Sequence, residues 1–471
     1  MRQFMLAVVM LGLAASCPCP LPARESPNTR AVVLIDSRLH SRLEQELQAY
    51  VAAASQRRRF DIQVLPVPGL DDLAPPEVRA RLRALRKACP RLEGVVLVGN
   101  VRLPSFFMPR PDQPSTRLWP RYYEDLDMVC ERRLAPGTKI RGYANGDPAA
   151  RWPFVIGNDV VTPEHDFDYA AQGPSFGPEL WVAFLPVGLD DLRADSYDAW
   201  AAQLRPFLRK TLNFYREPSA YRRSLYLVSN DLTDVSQLGP VWSSVGPRNI
   251  DYYAIREGKK PRYVRAGMEQ FRTLNDFLAY ARGLPWMGEG WQDPSVFLKH
   301  MNAPARSVVW WNVHSHPSGS IISSQQARTA VPAGKGGLVG LVTGCAVAAY
   351  RPPGCATYVD VDTPPASNFL ISVVYGPSAF VAASGCPFAR VSDDCYEALL
   401  AELFSAGYLG QGHRKQLLAQ DRAAGDWQAF RGNHEMLIGD PFVDASRTGT
   451  PGLRRPRQGD TGRKGEGVPR S

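Results

Sequence analysis

SVVWWNVHSHPSGS at residues 307–320 and LVGLVTGCAVAAY at residues 338–350 are the two stretches that decide the fold. The first is apolar up to its tryptophan pair and then reaches His314 and His316; the second is apolar up to its second valine and then reaches Cys345. Short continuous apolar runs are typical of strands buried on both faces of a parallel sheet. Ligands of such sheets bind beyond the carboxyl ends of the strands. A histidine and a cysteine at neighbouring strand ends are therefore predicted to face each other across a cleft, as a thiolate nucleophile and its base must.

Length and charge limit the classes of function. A chain of 471 residues predicts two or three compact units, and 44% hydrophobic residues is typical of globular proteins. The net charge of +9 would suggest a nucleic-acid partner, but residues 446–471 hold seven Lys or Arg and two Asp or Glu, which leaves +5 in that segment alone. This segment is rich in Gly, Pro and Arg and is predicted to be a disordered basic tail. The rest of the chain is only mildly basic, so no nucleic-acid partner is predicted.

The N-terminus has the pattern of an export signal. Residues 1–16 contain a positive start, an apolar core over 4–13 and three small residues, after which comes Cys17. This order resembles a bacterial lipoprotein signal, in which the cysteine is lipidated. We therefore expect a protein outside the cytoplasm, either secreted or attached to a bacterial membrane through Cys17. Ordinary cleavage after Ala15 or Ser16 is the alternative.

Six cysteines lie beyond residue 30, and exported proteins can hold disulfides. Cys386 and Cys395 flank a short loop and form the pair that is easiest to predict. Cys89 with Cys130 is a second, weaker expectation.

Between the signal and the tail, apolar strand patterns alternate with amphipathic helix patterns. The alternation predicts a mostly parallel sheet with helices on its faces. A linker at 17–30 is followed by an N-terminal α/β subdomain at 31–218 and a second, catalytic subdomain at 219–445. Within the first, residues 101–178 are rich in proline, aromatic and turn residues and are expected to form a long irregular excursion.

The order of these features resembles the gingipain-type cysteine peptidases of the caspase-like group. The resemblance rests on VVWWNVHS and LVTGC, whose His314 and Cys345 lie 31 positions apart, and on YYEDLD, ELWVAFLPV, SNFLISVVYGPSAFVAASG and IGDPF in the family's order. It covers most of residues 31–445. It implies a caspase-like three-layer sandwich with two similar subdomains.

The same resemblance implies a cysteine endopeptidase that uses a Cys345–His314 dyad and needs no cofactor or metal. The oxyanion would be met by the backbone N–H groups of Ser315 and Cys345. This choice favours His314 over His316, since the residue after His316 is Pro317, which has no N–H. The expected partners are protein or peptide substrates, and the chain is expected to be a monomer.

Other readings of the same residues remain open. His314, His316 and Ser324 also fit the spacing of JAMM-type zinc hydrolases, but Ala327 occupies the position of the aspartate ligand. Cys345 could alternatively be an inert buried thiol. In that case the chain would be a catalytically degenerate caspase-like module that binds peptides or partners.

Overall fold

The fold is described from a computed structural model, which covers most of residues 29–448. The described residues are 29–103, 105–108, 115–118, 120–127, 132–133, 154–156, 159–162, 177–188, 196–229, 238–256, 262–267, 271–282, 294–303, 305–312, 315–344, 347–349, 367–386, 396–405, 407–424, 435–446 and 448. The signal segment, Cys17, the dyad residues His314 and Cys345, and residues 449–471 lie outside this part.

Strands and helices alternate along most of the described chain. The strands are β1 (Thr29–Asp36), β2 (Asp61–Val67), β3 (Gly94–Gly99), β4 (Ser105–Met108), β5 (Ser115–Leu118), β6 (Arg132–Arg133), β7 (Phe154–Ile156), β8 (Asp159–Thr162), β9 (Trp181–Pro186), β10 (Arg222–Ser229), β11 (Ile250–Arg256), β12 (Arg262–Gly267), β13 (Arg306–Asn312), β14 (Gly337–Val342), β15 (Ala382–Gly385) and β16 (Met436–Gly439). The helices are α1 (Ser37–Arg58), α2 (Pro75–Ala88), α3 (Arg121–Glu124), α4 (Tyr197–Arg216), α5 (Gly239–Val245), α6 (Leu274–Arg282), α7 (Pro294–Met301), α8 (Ser324–Thr329), α9 (Phe369–Tyr375), α10 (Tyr396–Phe404) and α11 (Leu409–Ala424).

One 11-stranded sheet runs through the molecule in the order β12-β11-β10-β13-β14-β15-β16-β9-β3-β1-β2. Strands β10, β11, β13, β14 and β15 are parallel to one another, and so are β1, β2, β3, β9 and β16. The two groups run in opposite directions and meet where β15 pairs with β16. The carboxyl ends of the first group therefore lie on the same edge of the sheet as the amino ends of the second.

Helices cover both faces of this sheet. Trp310 and Trp311 are consecutive on β13, so their side chains point to opposite faces. Trp310 packs against Tyr396 of α10, with ring centroids 5.0 Å apart, while Trp311 packs against Phe369 of α9 at 6.1 Å. Helices α4 and α1 continue the α9 layer, and α11 and α5 continue the α10 layer. The predicted three-layer α/β fold with a mostly parallel sheet is confirmed.

Side-chain caps fix where several helices begin. Asp36 follows the buried apolar run of β1 and accepts a hydrogen bond from the Arg38 backbone N–H at 2.8 Å, which starts α1. Ser196 caps α4 in the same way. Ser323 and Gln326 form a reciprocal capping box at α8. At α1 the buried strand ends directly on its polar cap, and this abrupt change from apolar to polar residues makes the strand–helix boundary visible in the sequence.

The stretch at 101–178 differs from the irregular excursion that the sequence predicts. Its described residues include a second sheet of five short antiparallel strands, in the order β5-β4-β7-β8-β6. These strands have two to four residues each, too few to produce a periodic apolar pattern. The prediction of irregular structure was wrong for this part.

The expected disulfides and the membrane attachment involve residues that are only partly described. Cys89 and Cys386 are buried, whereas their predicted partners Cys130 and Cys395 lie outside the described residues. In the described part, no helix is both long enough and apolar enough to cross a membrane.

Gly439 closes β16 at a position where no side chain fits. Its φ is +101°, and a Cβ would lie 2.3 Å from the Val381 carbonyl oxygen. Gly334 has a φ of +71° but no atom within 4 Å of such a Cβ. We expect Gly334→Ala to cost about 1 kcal/mol through backbone strain. We expect Gly439→Ala to cost about 3 kcal/mol or more, because overpacking adds to that strain. Urea unfolding of both variants measures the difference, and equal losses would contradict the close backbone approach.

The folded part of the chain continues past Ala445, into the first residues of the segment assigned to the tail. Ser446 donates hydrogen bonds to Asp444 from its backbone N–H at 3.1 Å and from its hydroxyl at 2.7 Å. Thr448 is buried, and its hydroxyl lies 2.7 Å from that of Ser307 on β13.

Two truncations test where the fold ends. Removal of everything after Thr448 keeps these contacts and is expected to change stability by less than about 0.5 kcal/mol. Removal of everything after Ala445 deletes them and is expected to cost about 2 kcal/mol, since each buried hydrogen bond contributes roughly 1 kcal/mol. Thermal unfolding of the two proteins decides this. A large loss in the longer protein would instead show that residues beyond 448 are docked.

Candidate active site

The register between β13 and β14 matches the spacing of the predicted dyad. Each paired residue of β13 faces the residue 31 positions later in the chain, as in Trp310 with Leu341 and Trp311 with Val342. His314 and Cys345 are also 31 positions apart, and each lies three positions beyond the last pair. Neighbouring strands of a sheet lie about 4.8 Å apart, so β13 and β14 end at adjacent points on the sheet edge.

The last described residues before this pair are tied together. The Thr343 backbone N–H donates to the Trp311 carbonyl at 2.8 Å, and its hydroxyl donates to Asn312 Oδ1 at 2.7 Å. Both Asn312 and Thr343 are buried. The two strands therefore end side by side at this edge of the sheet.

The chain after β13 forms a tight turn around His316. The His316 backbone N–H donates to the Gly319 carbonyl at 2.9 Å, and the Gly319 N–H returns a bond at 3.0 Å. The imidazole is exposed, and its Nδ1 lies 3.0 Å from the Ser318 hydroxyl. The side chain of His316 is thus engaged within its own turn.

Asn368 joins the two loops that follow β13 and β14. Its fully buried side chain donates from Nδ2 to the Val347 and Ala349 carbonyls, each at 2.9 Å. The backbone N–H of the next residue, Phe369, donates to the Pro317 carbonyl at 2.8 Å. One short segment therefore holds the chain two residues after Cys345 and three residues after His314.

Helix α9 is held at both ends. At its start, Asn368 Oδ1 accepts from the Ile371 backbone N–H at 3.1 Å. At its end, Lys210 of α4 donates to the Val374 and Gly376 carbonyls at 2.6 and 2.9 Å. Burial lowers the pKa of Lys210 to about 7, because the charged ammonium loses its hydration. The helix that positions both loops is thereby attached to the N-terminal part of the chain.

The far side of the site is supported by a buried carboxyl group. Glu435 accepts hydrogen bonds from the hydroxyls of Tyr396 and Ser384, the latter at 3.0 Å. Burial raises the pKa of Glu435, although these hydrogen bonds partly offset the effect. Ser384 lies on β15, and the carbonyl of nearby Cys386 accepts from the Ala348 backbone N–H at 3.2 Å. The loop after β14 is thus fastened to its other neighbouring strand as well.

The described residues include one group of side chains that could hold a metal ion. Within the described residues, Asp125, Asp127 and Glu179 form the group whose carboxylate oxygens all lie within 4.8 Å of one another. Burial raises the pKa of Asp125 to about 8 and that of Glu179 to about 7. Neither His316 nor Ser324 belongs to this group.

The JAMM-type alternative gains no support from the described residues. Ala327, at the position of the aspartate ligand, is buried in α8 and offers no oxygen from its side chain. Ser324 is buried at the first position of the same helix, and its backbone N–H donates to the Ser318 carbonyl at 2.9 Å.

Comparison with known proteins gives one structural likeness. No family model matches the chain, and no curated protein matches it. Among solved structures, the chain is similar to the crystal structure of gingipain R, described as an Arg-specific cysteine proteinase, with a TM-score of 0.46 and 11% identity. The match covers 90% of this chain and 79% of the other.

Asn368 is the site residue that the sequence analysis missed. An asparagine directly before an apolar helix is a signal for an N-cap, so its capping role could have been predicted from the sequence. Its hydrogen bonds to the two loops could not, because the carbonyls that accept them lie 19, 21 and 51 positions away in the chain.

Removal of the Asn368 side chain tests this account of the site. Asn368→Ala leaves two buried carbonyls without their donor and removes a helix cap, so we expect a loss of about 3 kcal/mol or more. Ser323→Ala, which removes only the cap of α8, is the matched control and should cost about 1 kcal/mol. Chemical unfolding of both variants gives the comparison. Similar losses would mean that Asn368 acts as a cap alone.

Proposed function

We propose that this protein is a cysteine endopeptidase with Cys345 as nucleophile and His314 as its base. The observation that carries the proposal is the shared offset of 31 residues between paired positions of β13 and β14 and between His314 and Cys345. The resemblance of the surrounding motifs to gingipain-type peptidases supports the same roles. The bonds made by Asn368 support it further, because they fix the backbone next to both residues.

The reaction follows from these two groups. His314 takes the proton of the Cys345 thiol, and the thiolate sulfur attacks the scissile carbonyl carbon. Collapse of the tetrahedral intermediate breaks the C–N bond, and the imidazolium returns its proton to the leaving amine. A water molecule, deprotonated by His314, then attacks the thioester and releases the carboxylic acid with regeneration of the thiol.

Stabilisation of the oxyanion is assigned to the backbone N–H groups of Ser315 and Cys345. Ser315 is half-buried at the start of the turn after β13, and its hydroxyl donates to that of Ser320 at 2.9 Å. The alternative base, His316, precedes Pro317, which has no N–H to offer. Its Nδ1 is also engaged with Ser318, which further favours His314.

The proposal extends to location and partners. The apolar core at residues 4–13 and the small residues before Cys17 support an extracytoplasmic protein, secreted or lipid-anchored. Its substrates would be proteins or peptides, and it would act as a monomer.

Substitution of the dyad is the direct test. Cys345→Ala and His314→Ala are each expected to lower turnover of a peptide library by a factor of about 10³ or more with the fold intact. The double variant should be no worse than either single one, because the two groups act as a unit. His316→Ala is the matched control and should retain most of the activity. A Cys345→Ala protein that cleaves at the wild-type rate would refute the proposal.

Inhibitors separate the remaining alternatives. Loss of hydrolysis with iodoacetamide, and not with a zinc chelator, supports the thiol. Loss with the chelator alone would favour a zinc hydrolase. A folded protein that cleaves nothing, and whose Cys345 is alkylated no faster than a thiol in a denatured chain, would favour a binding module.

A further inference from the structure

An open cleft of about 480 Å³ lies at the amino ends of β1 and β3. Its charged lining consists of four arginines and one glutamate, namely Arg30, Arg86, Arg91, Arg414 and Glu93. They come from the start of β1, the last turn of α2, the connection to β3, and α11. We call this the arginine cleft. It lies on the same sheet edge as the candidate active site, but four strand spacings, or roughly 19 Å, separate β3 from β14.

Two of these guanidinium groups are anchored on neutral acceptors. Arg86 donates from Nη1 to the Pro90 carbonyl, and Arg414 donates from Nε to the Pro178 carbonyl at 2.8 Å. Burial, together with the positive charge of Arg86, lowers the pKa of Arg414. Two like charges are therefore held near each other without a carboxylate bonded to either of them in the described part of the chain.

The carboxylates around the cleft are already engaged. Glu93 pairs with Arg30 and accepts a hydrogen bond from the Tyr408 hydroxyl. Glu179 attracts Arg414 from a distance, but it accepts from the Leu126 backbone N–H, and burial raises its pKa to about 7. Burial therefore disfavours the charged form of Glu179. Among the described residues, no carboxylate is hydrogen-bonded to Arg86 or Arg414, so their positive charge is open to an anionic ligand.

The remaining donors of the two arginines point to the chemistry of a ligand. A guanidinium group carries five N–H donors in a planar fork, and Arg86 and Arg414 each use one nitrogen on the protein. None of their other nitrogens is among the buried atoms without a partner, and both residues line the open cleft. Two such forks, each already fixed by one bond, match the oxygens of a phosphate group in charge and geometry. The volume exceeds that of a phosphate and falls within the range of small-molecule sites.

We propose that the arginine cleft binds a phosphate monoester or diphosphate group, with Arg86 and Arg414 as the two anchoring residues. The dianionic group offsets both positive charges, and the organic part of the ligand occupies the rest of the cleft beside Arg30 and Arg91. This site is independent of the proposed peptidase activity.

Calorimetric titration of the full-length chain with inorganic pyrophosphate at low salt tests the site. Arg86→Gln and Arg414→Gln should each weaken binding about tenfold or more, since each removes one charged fork while the Gln amide can still donate to the carbonyl. Arg42→Gln is the matched control. This arginine lies on α1 and pairs with Asp198 of α4, on the face of the sheet opposite to α11. It should change binding by less than about twofold. The basic C-terminal tail is present in all these proteins and contributes equally.

Several results would overturn the proposal. Pyrophosphate binding that is unchanged in the double Arg86→Gln/Arg414→Gln variant would place the anion elsewhere, and succinate binding as tight as pyrophosphate would make this a carboxylate site. Arg86 is half-exposed, so the single Arg86→Gln variant decides the matter even if substitution of Arg414 prevents folding. If pyrophosphate binds as proposed, glycerol 3-phosphate and vesicles with and without phosphatidic acid distinguish a soluble ester from a lipid headgroup as its source.

Discussion

The antiparallel pairing of β15 with β16 is the interaction on which the rest of the sheet depends. Each parallel group would otherwise expose a strand edge at this point, with a row of unpaired backbone groups. The pairing runs from Ala382 with Gly439 to Gly385 with Met436 and joins the two groups into one sheet. Because β16 follows β15 in the sequence but pairs with β9 of the other group, its placement interlocks the two halves of the sheet. It also brings the candidate active site and the arginine cleft to a common edge.

Buried polar groups on both sides of β16 make this pairing specific. Glu435, directly before the strand, is bonded to Tyr396 of α10 and Ser384 of β15. Asp440, directly after it, accepts hydrogen bonds from the hydroxyls of Tyr50 and Tyr215 at 2.8 and 2.6 Å. Burial raises the pKa of both carboxyl groups, so each is costly unless all its partners are in place. A shift of β16 by one residue would separate both groups from their partners, and the pairing register is thereby fixed.

The sequence predicted those elements whose pattern lies within a few neighbouring residues, and it did not predict features formed by residues far apart in the chain. Strands β13 and β14 are continuous apolar runs, so both were predicted close to their observed bounds. Helix α11 was missed because it is largely polar, and its buried His413 bonds Glu124 of α3 at 2.9 Å, a partner 289 positions away. The arginine cleft was missed for the same reason, since Arg30, Arg86 and Arg414 become neighbours only in the folded chain. The apolar and amphipathic patterns of single elements predicted the helical and sheet layers. The polar contacts of the candidate active site and of the arginine cleft join residues that are distant in sequence.

The distance in sequence between a nucleophile and its base is set by the sheet. Neighbouring parallel strands require a crossover that returns the chain to the starting edge, and here it contains the turn at His316 and helix α8. The length of that crossover fixes the offset of 31 residues between paired positions, and residues that follow both strands at equal distance inherit the same offset. A pair made of His316 and Cys345 would be 29 positions apart and would depart from this equivalence by two residues. The register of the two strands therefore favours His314 over His316 as the base of the proposed dyad, independently of the argument from Pro317.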